Sequence, residues 1–180
     1  MDRSLSTPLF AQLLGPAFAR LPPALRTLHS VPQRQRYVGQ AEVRRGRHPL
    51  LPLCAWLARL PPAGATLPIE VTFLTDAQGE RWQRRFGTHA MPSRLWLQDG
   101  RLRERLGAVE FEFALRVDGA AIVWSAARAW AFGVLPLPRR WLAGVHCRES
   151  ERDGRYAFLV EVALPWIGPF IRYEGWLEPA

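Results

Sequence analysis

The chain has 180 residues and a formal net charge of +8, with hydrophobic residues at 48% and charged ones at 22%. That length suits one domain with a substantial core, burying on the order of 70% of its unfolded surface. No apolar run approaches the roughly 18 residues needed to span a bilayer, and Asp2 and Arg3, followed by a helical pattern broken at Pro16, do not resemble a secretion signal. A cytoplasmic protein is the expectation.

All 24 basic residues are arginine, and the chain holds neither Lys nor Asn. Such usage is what a GC-rich coding sequence produces, so arginine here serves as the general surface cation. The arginines are dispersed and interleaved with Asp and Glu, which reads as a solvated surface rather than a face built for a polyanion. Cys54 and Cys147 lie far apart with no CxxC and no Cys/His cluster of metal-ligand spacing. Free thiols are expected, with no metal and no cofactor.

In chain order, Leu9, Phe10, Leu13, Leu14, Ala17 and Phe18 recur at helical spacing and predict a helix over Leu5 to Arg20. Thr7-Pro8 opens it and Gly15-Pro16 kinks or splits it. Ala24 to His29 adds one more turn, and a strand follows from Arg36 to Arg45. His48 to Leu60 is apolar at helical spacing on more than one face, which predicts a buried or half-buried helix.

From Pro68 the period changes to two and the pattern becomes one of hairpins. Asp76-Ala77-Gln78-Gly79, Asp99-Gly100, Asp118-Gly119 and Asp153-Gly154 supply the turns. The central pair runs from Gly107 to Arg140. Phe111, Phe113, Leu115 and Val117 share one face of its first strand. In its second strand Ile122, Trp124, Ala126, Arg128, Trp130 and Phe132 share one face, and small residues, mostly alanine, share the other. A smooth face of that kind asks for something large against it: a helix, a facing sheet or an apolar ligand.

The chain therefore reads as a single α+β domain. Residues 1–62 are mainly helical with one strand, and residues 63–180 form an antiparallel β meander. Nine or ten strands are too many to stay flat, so the sheet should curl into a half-barrel or barrel with the N-terminal helices packed on or in it. The apolar helix from His48 to Leu60 is the natural filling.

Phe18-Ala19-Arg20-Leu21-Pro22 with Leu28-His29, Arg81 to Gly87, Leu135-Pro136-Leu137-Pro138 and the closing Arg172 to Leu177 together resemble the bacterial domain-of-unknown-function family numbered 4166. The resemblance runs from about Pro8 to Pro179. It implies no established activity. It also implies an association, because members occur alone or joined to NAD-binding domains of the saccharopine dehydrogenase type; no GxGxxG after a predicted strand marks such a domain here.

No catalytic residue is assigned. His146-Cys147 are neighbours on a strand and point to opposite faces, His29 suits a cap or loop, His48 starts a helix, and Glu110 and Glu112 suit cross-strand ion pairs. The binding candidates are constellations instead. Trp82 and Arg84 share a face with Phe86, and Trp124, Arg128 and Trp130 share another, so an arginine between aromatics could meet an anionic head while the aromatics hold an apolar body. Leu135, Leu137, Arg139, Arg140 and Trp141 form a loop that could cover a mouth or dip into a membrane interface. The leading expectation is a non-catalytic module holding an apolar or anionic lipid-like ligand. The alternatives are an accessory domain for a separate oxidoreductase and, last, an arginine-rich nucleic-acid binder.

Overall fold

Residues 7–30 and 33–180 are described in a computed structural model of the chain. The predicted start of the first helix at Leu5 lies outside them. The rest of that prediction divides where Gly15-Pro16 requires, into α1 (Leu9–Leu14) and a 3-10 turn (Gly15–Arg20), and α2 (Pro23–Leu28) follows.

Among the described residues eleven strands follow α1 and α2: β1 (Arg34–Arg45), β2 (Gly64–Asp76), β3 (Gly79–Phe86), β4 (His89–Gln98), β5 (Arg101–Leu106), β6 (Val109–Asp118), β7 (Ala121–Ala131), the short β8 (Leu135–Pro136), β9 (Val145–Arg152), β10 (Arg155–Leu164) and β11 (Gly168–Pro179). Every pairing is antiparallel. The order β6-β5-β4-β3-β2-β1-β11-β10-β9-β7 is closed by a β6–β7 ladder, so ten strands form a barrel with no free edge and β8 hangs on β7. The curling expected from strand number goes to completion. Its tightest corner is β1 against β11, where a Cβ at Gly39 would come within 1.8 Å of the Trp176 carbonyl oxygen, a distance only glycine tolerates.

The hairpins sort the turns to two ends. The upper end carries Ala77-Gln78, Asp99-Gly100, Gly119-Ala120 and Asp153-Gly154. Asp99-Gly100 and Asp153-Gly154 both hold positive φ at each position, as a type I′ turn demands. The turn placed at Asp118-Gly119 sits one residue later, because only Gly119 has positive φ and Asp118 already pairs with Ala121. The lower end carries the turns at Gly87 and Gly107, the loop after β7 and the turn between β10 and β11.

Two expectations are corrected inside the barrel. The single face drawn along β7 is broken by a bulge: Glu112 pairs with Arg128 and Phe113 with Ala126, leaving Ala127 as an extra residue. Above it Ile122 and Trp124 point inward and are buried; below it Ala129 is the buried position while Arg128 is exposed. No continuous smooth face exists to be covered. The second correction concerns the helix, α3 (Leu51–Leu57), which does not fill the barrel but lies across its lower mouth. Leu51 and Ala55 pack inward, and Leu50, Leu53 and Trp56 face out. One side of α3 adjoins Gly46, whose N–H donates to the Phe170 carbonyl at 3.1 Å; its C-terminal end receives the Ala108 N–H at the Leu57 carbonyl, 2.9 Å away.

The upper mouth is filled by α1 and α2 instead. Phe10 is fully buried, as are Leu25 and Leu28. Phe10 stacks on His29 at 3.6 Å and lies 5.6 Å from Trp124 and 6.1 Å from Trp82. Burying one such side chain contributes about 1.5–3 kcal/mol, and the Ala24 N–H fastens α2 by donating to Glu151 Oε2 at 2.8 Å.

Candidate functional site

Alternation along β3 sends Glu80, Trp82, Arg84 and Phe86 to one face, and closure of the sheet makes that face the interior. A glutamate and an arginine therefore enter the core and must find partners there. Arg84 donates to Ser93 Oγ and to Glu104 Oε1, each at 3.0 Å, and its guanidinium lies 4.7 Å from the Trp82 ring. Both members of the Arg84–Glu104 pair are largely buried. Glu80 accepts the Trp82 indole N–H at 2.7 Å.

A second polar pair sits under the plug. His29 Nε2 is 2.7 Å from Glu149 Oε2, with both side chains almost completely buried. Burial pushes the Glu80 carboxyl above its ordinary range, while His29 and the Trp82 N–H pull the other way. Burial also pushes up the Cys147 thiol, with the charges of Glu104 and Glu149 adding to it, and the Tyr156 hydroxyl, with Glu149 adding. Tyr173 rises by burial too, against the pull of Arg84. The Cys147 thiol and the two tyrosine hydroxyls hold their protons at neutral pH and make poor nucleophiles.

Between these residues lies a cavity of about 70 Å³, walled by Trp82, Arg84, Glu104, Trp124, Cys147, Tyr156 and Tyr173 among others. That is space for a few waters or one compact molecule, well short of the roughly 300–1,000 Å³ of drug-sized pockets. The lipid-sized hollow expected from the curled sheet is absent from the described interior, because the plug and the aromatic side chains take up the width that ten strands provide. One group on its wall is unmatched: the Trp124 indole N–H is buried with no hydrogen-bond partner. A much larger groove, about 1180 Å³, runs along the outer flank between α3 and β3 to β5, with Trp56, Arg59, His89, Arg105 and Phe132 on its walls.

The structure thus splits the predicted binding set. Trp82, Arg84 and Trp124 converge on the interior cavity; Arg128 and Trp130 lie outside, beyond the β7 bulge, where the Arg103 guanidinium lies 4.2 Å from the Trp130 ring and Arg128 approaches Glu112 at 4.0 Å. In the predicted loop Leu135, Arg139 and Arg140 are exposed, and Leu137 and Trp141 are half-buried. Glu110 and Glu112 do form ion pairs, with Arg103, Arg105 and Arg101. His146 and Cys147 point to opposite sides of β9, His146 outward and exposed, Cys147 to the cavity. His29 is the C-cap of α2, as the cap-or-loop reading expects, and its side chain is also the buried centre of the plug contact.

Glu104, Glu149, Tyr156 and Tyr173 were not singled out from sequence. A signal existed for Glu104, since it alternates between Leu102 and Leu106 on an otherwise apolar face. Glu149 gave none, because its partner His29 is 120 residues away and only barrel closure joins them.

Among the described residues no group of three or more His, Cys, Asp or Glu is placed to hold a metal ion, and no helix is long and apolar enough to cross a membrane. No curated protein matches the chain. The family model for the domain of unknown function DUF4166 matches residues 21–177. That span takes in α2, His29 and all ten barrel strands up to Leu177, and on this match the chain belongs to the DUF4166 family.

Proposed function

We infer that the chain is a non-catalytic binding module that takes a compact, uncharged ligand in the barrel interior, beneath the α1–α2 plug. The observation that carries this reading is the unpartnered Trp124 N–H on the wall of a cavity lined by aromatic and aliphatic side chains, where Arg84 pairs with Glu104 and Glu149 with His29. A buried donor without an acceptor costs about 1–3 kcal/mol, and a ligand carbonyl or hydroxyl would supply the acceptor. Electrostatics selects against an anionic head: Arg84 is already neutralised by Glu104, and Glu149 adds a further carboxylate nearby. The Arg84 cation assigned to an anionic ligand from sequence is in this way satisfied within the protein.

The test pairs two probes of nearly equal size, propionamide and propionate, with the intact mass of the natively purified protein before and after solvent extraction. A low-mass adduct lost on extraction, or a rise in melting temperature with propionamide that propionate does not give and that Trp124→Phe abolishes, supports the reading. A bare mass together with no response to either probe overturns it.

A further inference from the structure

The lower end of the barrel combines three features. The first is apolar exposure. Trp56 is 74% exposed on the outer face of α3, with Leu50 and Leu53 beside it. Phe132, at 67%, leads the loop that also exposes Val134 and Leu135, and Trp166, at 79%, tips the turn between β10 and β11. Of the large hydrophobic residues exposed among the described residues, Leu97 alone lies outside these lower segments. Single exposed hydrophobics need no explanation, but a set gathered on one end does.

The second feature is charge. The lower segments, 45–63, 87–88, 107–108, 132–144 and 165–167, contain no Asp or Glu. They contain Arg45, Arg47, Arg59, Arg139 and Arg140. Arg45 is engaged by the Leu60 and Pro61 carbonyls, which fixes the chain leaving α3. Arg140 holds its guanidinium 5.1 Å from the Trp166 ring, an aromatic and a cation side by side at the rim.

The third is backbone conformation. Five non-glycine residues among those described have positive φ. Asp99 and Asp153 belong to the hairpin turns of the upper end, where that conformation is ordinary. The others, Arg59, Phe132 and Trp166, all lie at the lower end, and bulky residues adopt such φ rarely. The fold accepts strained backbone at the positions where it turns two aromatic side chains out into solvent.

We propose that this end docks on the surface of an anionic lipid bilayer. Tryptophan and arginine at apolar tips match the interfacial layer, where aromatic rings sit among head groups and each cation nearby gains from the negative surface potential. The same charge argues against a second copy of the chain as the occupant, because two acid-free arginine faces would repel one another. The depth of contact is that of side-chain tips, not of a spanning element. This inference rests on the exterior of the lower end and does not depend on the interior ligand.

Co-sedimentation with vesicles tests it. The protein is expected to bind phosphatidylcholine vesicles that contain phosphatidylglycerol, to release as salt is raised, and to ignore phosphatidylcholine alone. Arg139→Gln/Arg140→Gln should weaken binding about 25-fold, two surface cations at about fivefold each. Trp56→Ser/Trp166→Ser should lose binding with the melting temperature unchanged, since both side chains are already in water. Failure to bind the anionic vesicles at low salt overturns the proposal. So does equal binding to the neutral ones, or a concentration-dependent dimer abolished by the same tryptophan changes in a protein that ignores vesicles.

Discussion

The two ends of the barrel solve opposite problems with the same kind of residue. At the upper end Phe10, Trp82, Trp124 and His29 are aromatic rings gathered inside, screened from water by α1 and α2 and anchored by the His29–Glu149 pair. At the lower end Trp56, Phe132 and Trp166 are aromatic rings held outside, on a helix and two loops. The charges divide likewise. Asp76, Asp99, Asp118 and Asp153 stand at the upper turns, while the lower segments carry arginine alone among the charged residues. The comparison teaches that aromatic content does not distinguish a core from a contact surface; position relative to barrel closure does.

Substitutions at the two ends should therefore differ in kind. The largest loss is expected from Phe10→Ala, about 4 kcal/mol by denaturant unfolding, because a cavity opens where the plug meets the interior. Arg84→Met should lose about 3 kcal/mol by leaving Glu104 charged and unpaired in the core, and adding Glu104→Leu should return most of that loss. If the double variant were as unstable as the single one, the pair would not be the source of the effect.

The buried Glu80 gives a pH signature. Its folded pKa is raised above the ordinary 4.5, so the unfolded chain releases this proton first as pH rises. The stability Glu80 contributes is complete below 4.5 and is lost as pH climbs through the folded value. Glu80→Gln keeps an acceptor for the Trp82 N–H and has no proton to release. Relative to the native chain, the variant should gain stability between pH 4 and pH 7 in paired urea melts, and a difference that stays flat over that range would refute the assignment. The smallest effects belong to the lower end, where Trp56→Ser and Trp166→Ser should each shift stability by no more than about 0.5 kcal/mol.

Much of the barrel is legible in the chain because its turns are written in local chemistry: Asp99-Gly100 and Asp153-Gly154 admit few other conformations than the ones they adopt. Strand count then forces curling, and closure follows. The site is less legible. Ala127, one alanine among several, reverses the facing of Arg128 and Trp130, and no local signal marks it as a bulge. His29 reads as a cap or loop residue, and its buried side-chain partner Glu149 is brought to it only by the closing sheet. The apolar pattern of His48 to Leu60 was visible, but periodicity reports which residues share a face, not what that face meets; in α3 one face meets the barrel and the other meets solvent. The candidate loop was visible through Leu135, Arg139 and Arg140, and its partners at the lower rim were not, because Trp56 and Trp166 come from segments more than 100 residues apart in sequence.

Amide hydrogen exchange, read by peptide mass on the protein alone and with phosphatidylglycerol-containing vesicles, tests the division between the ends most directly. The account predicts that α1 and α2 exchange as slowly as the barrel strands in both conditions, and that vesicles slow exchange in residues 46–60, 132–144 and 165–168 while the turns at Asp76, Asp99 and Asp153 stay unchanged. Rapid exchange across α1 and α2 in the protein alone, or protection by vesicles spread evenly over both ends, would contradict it.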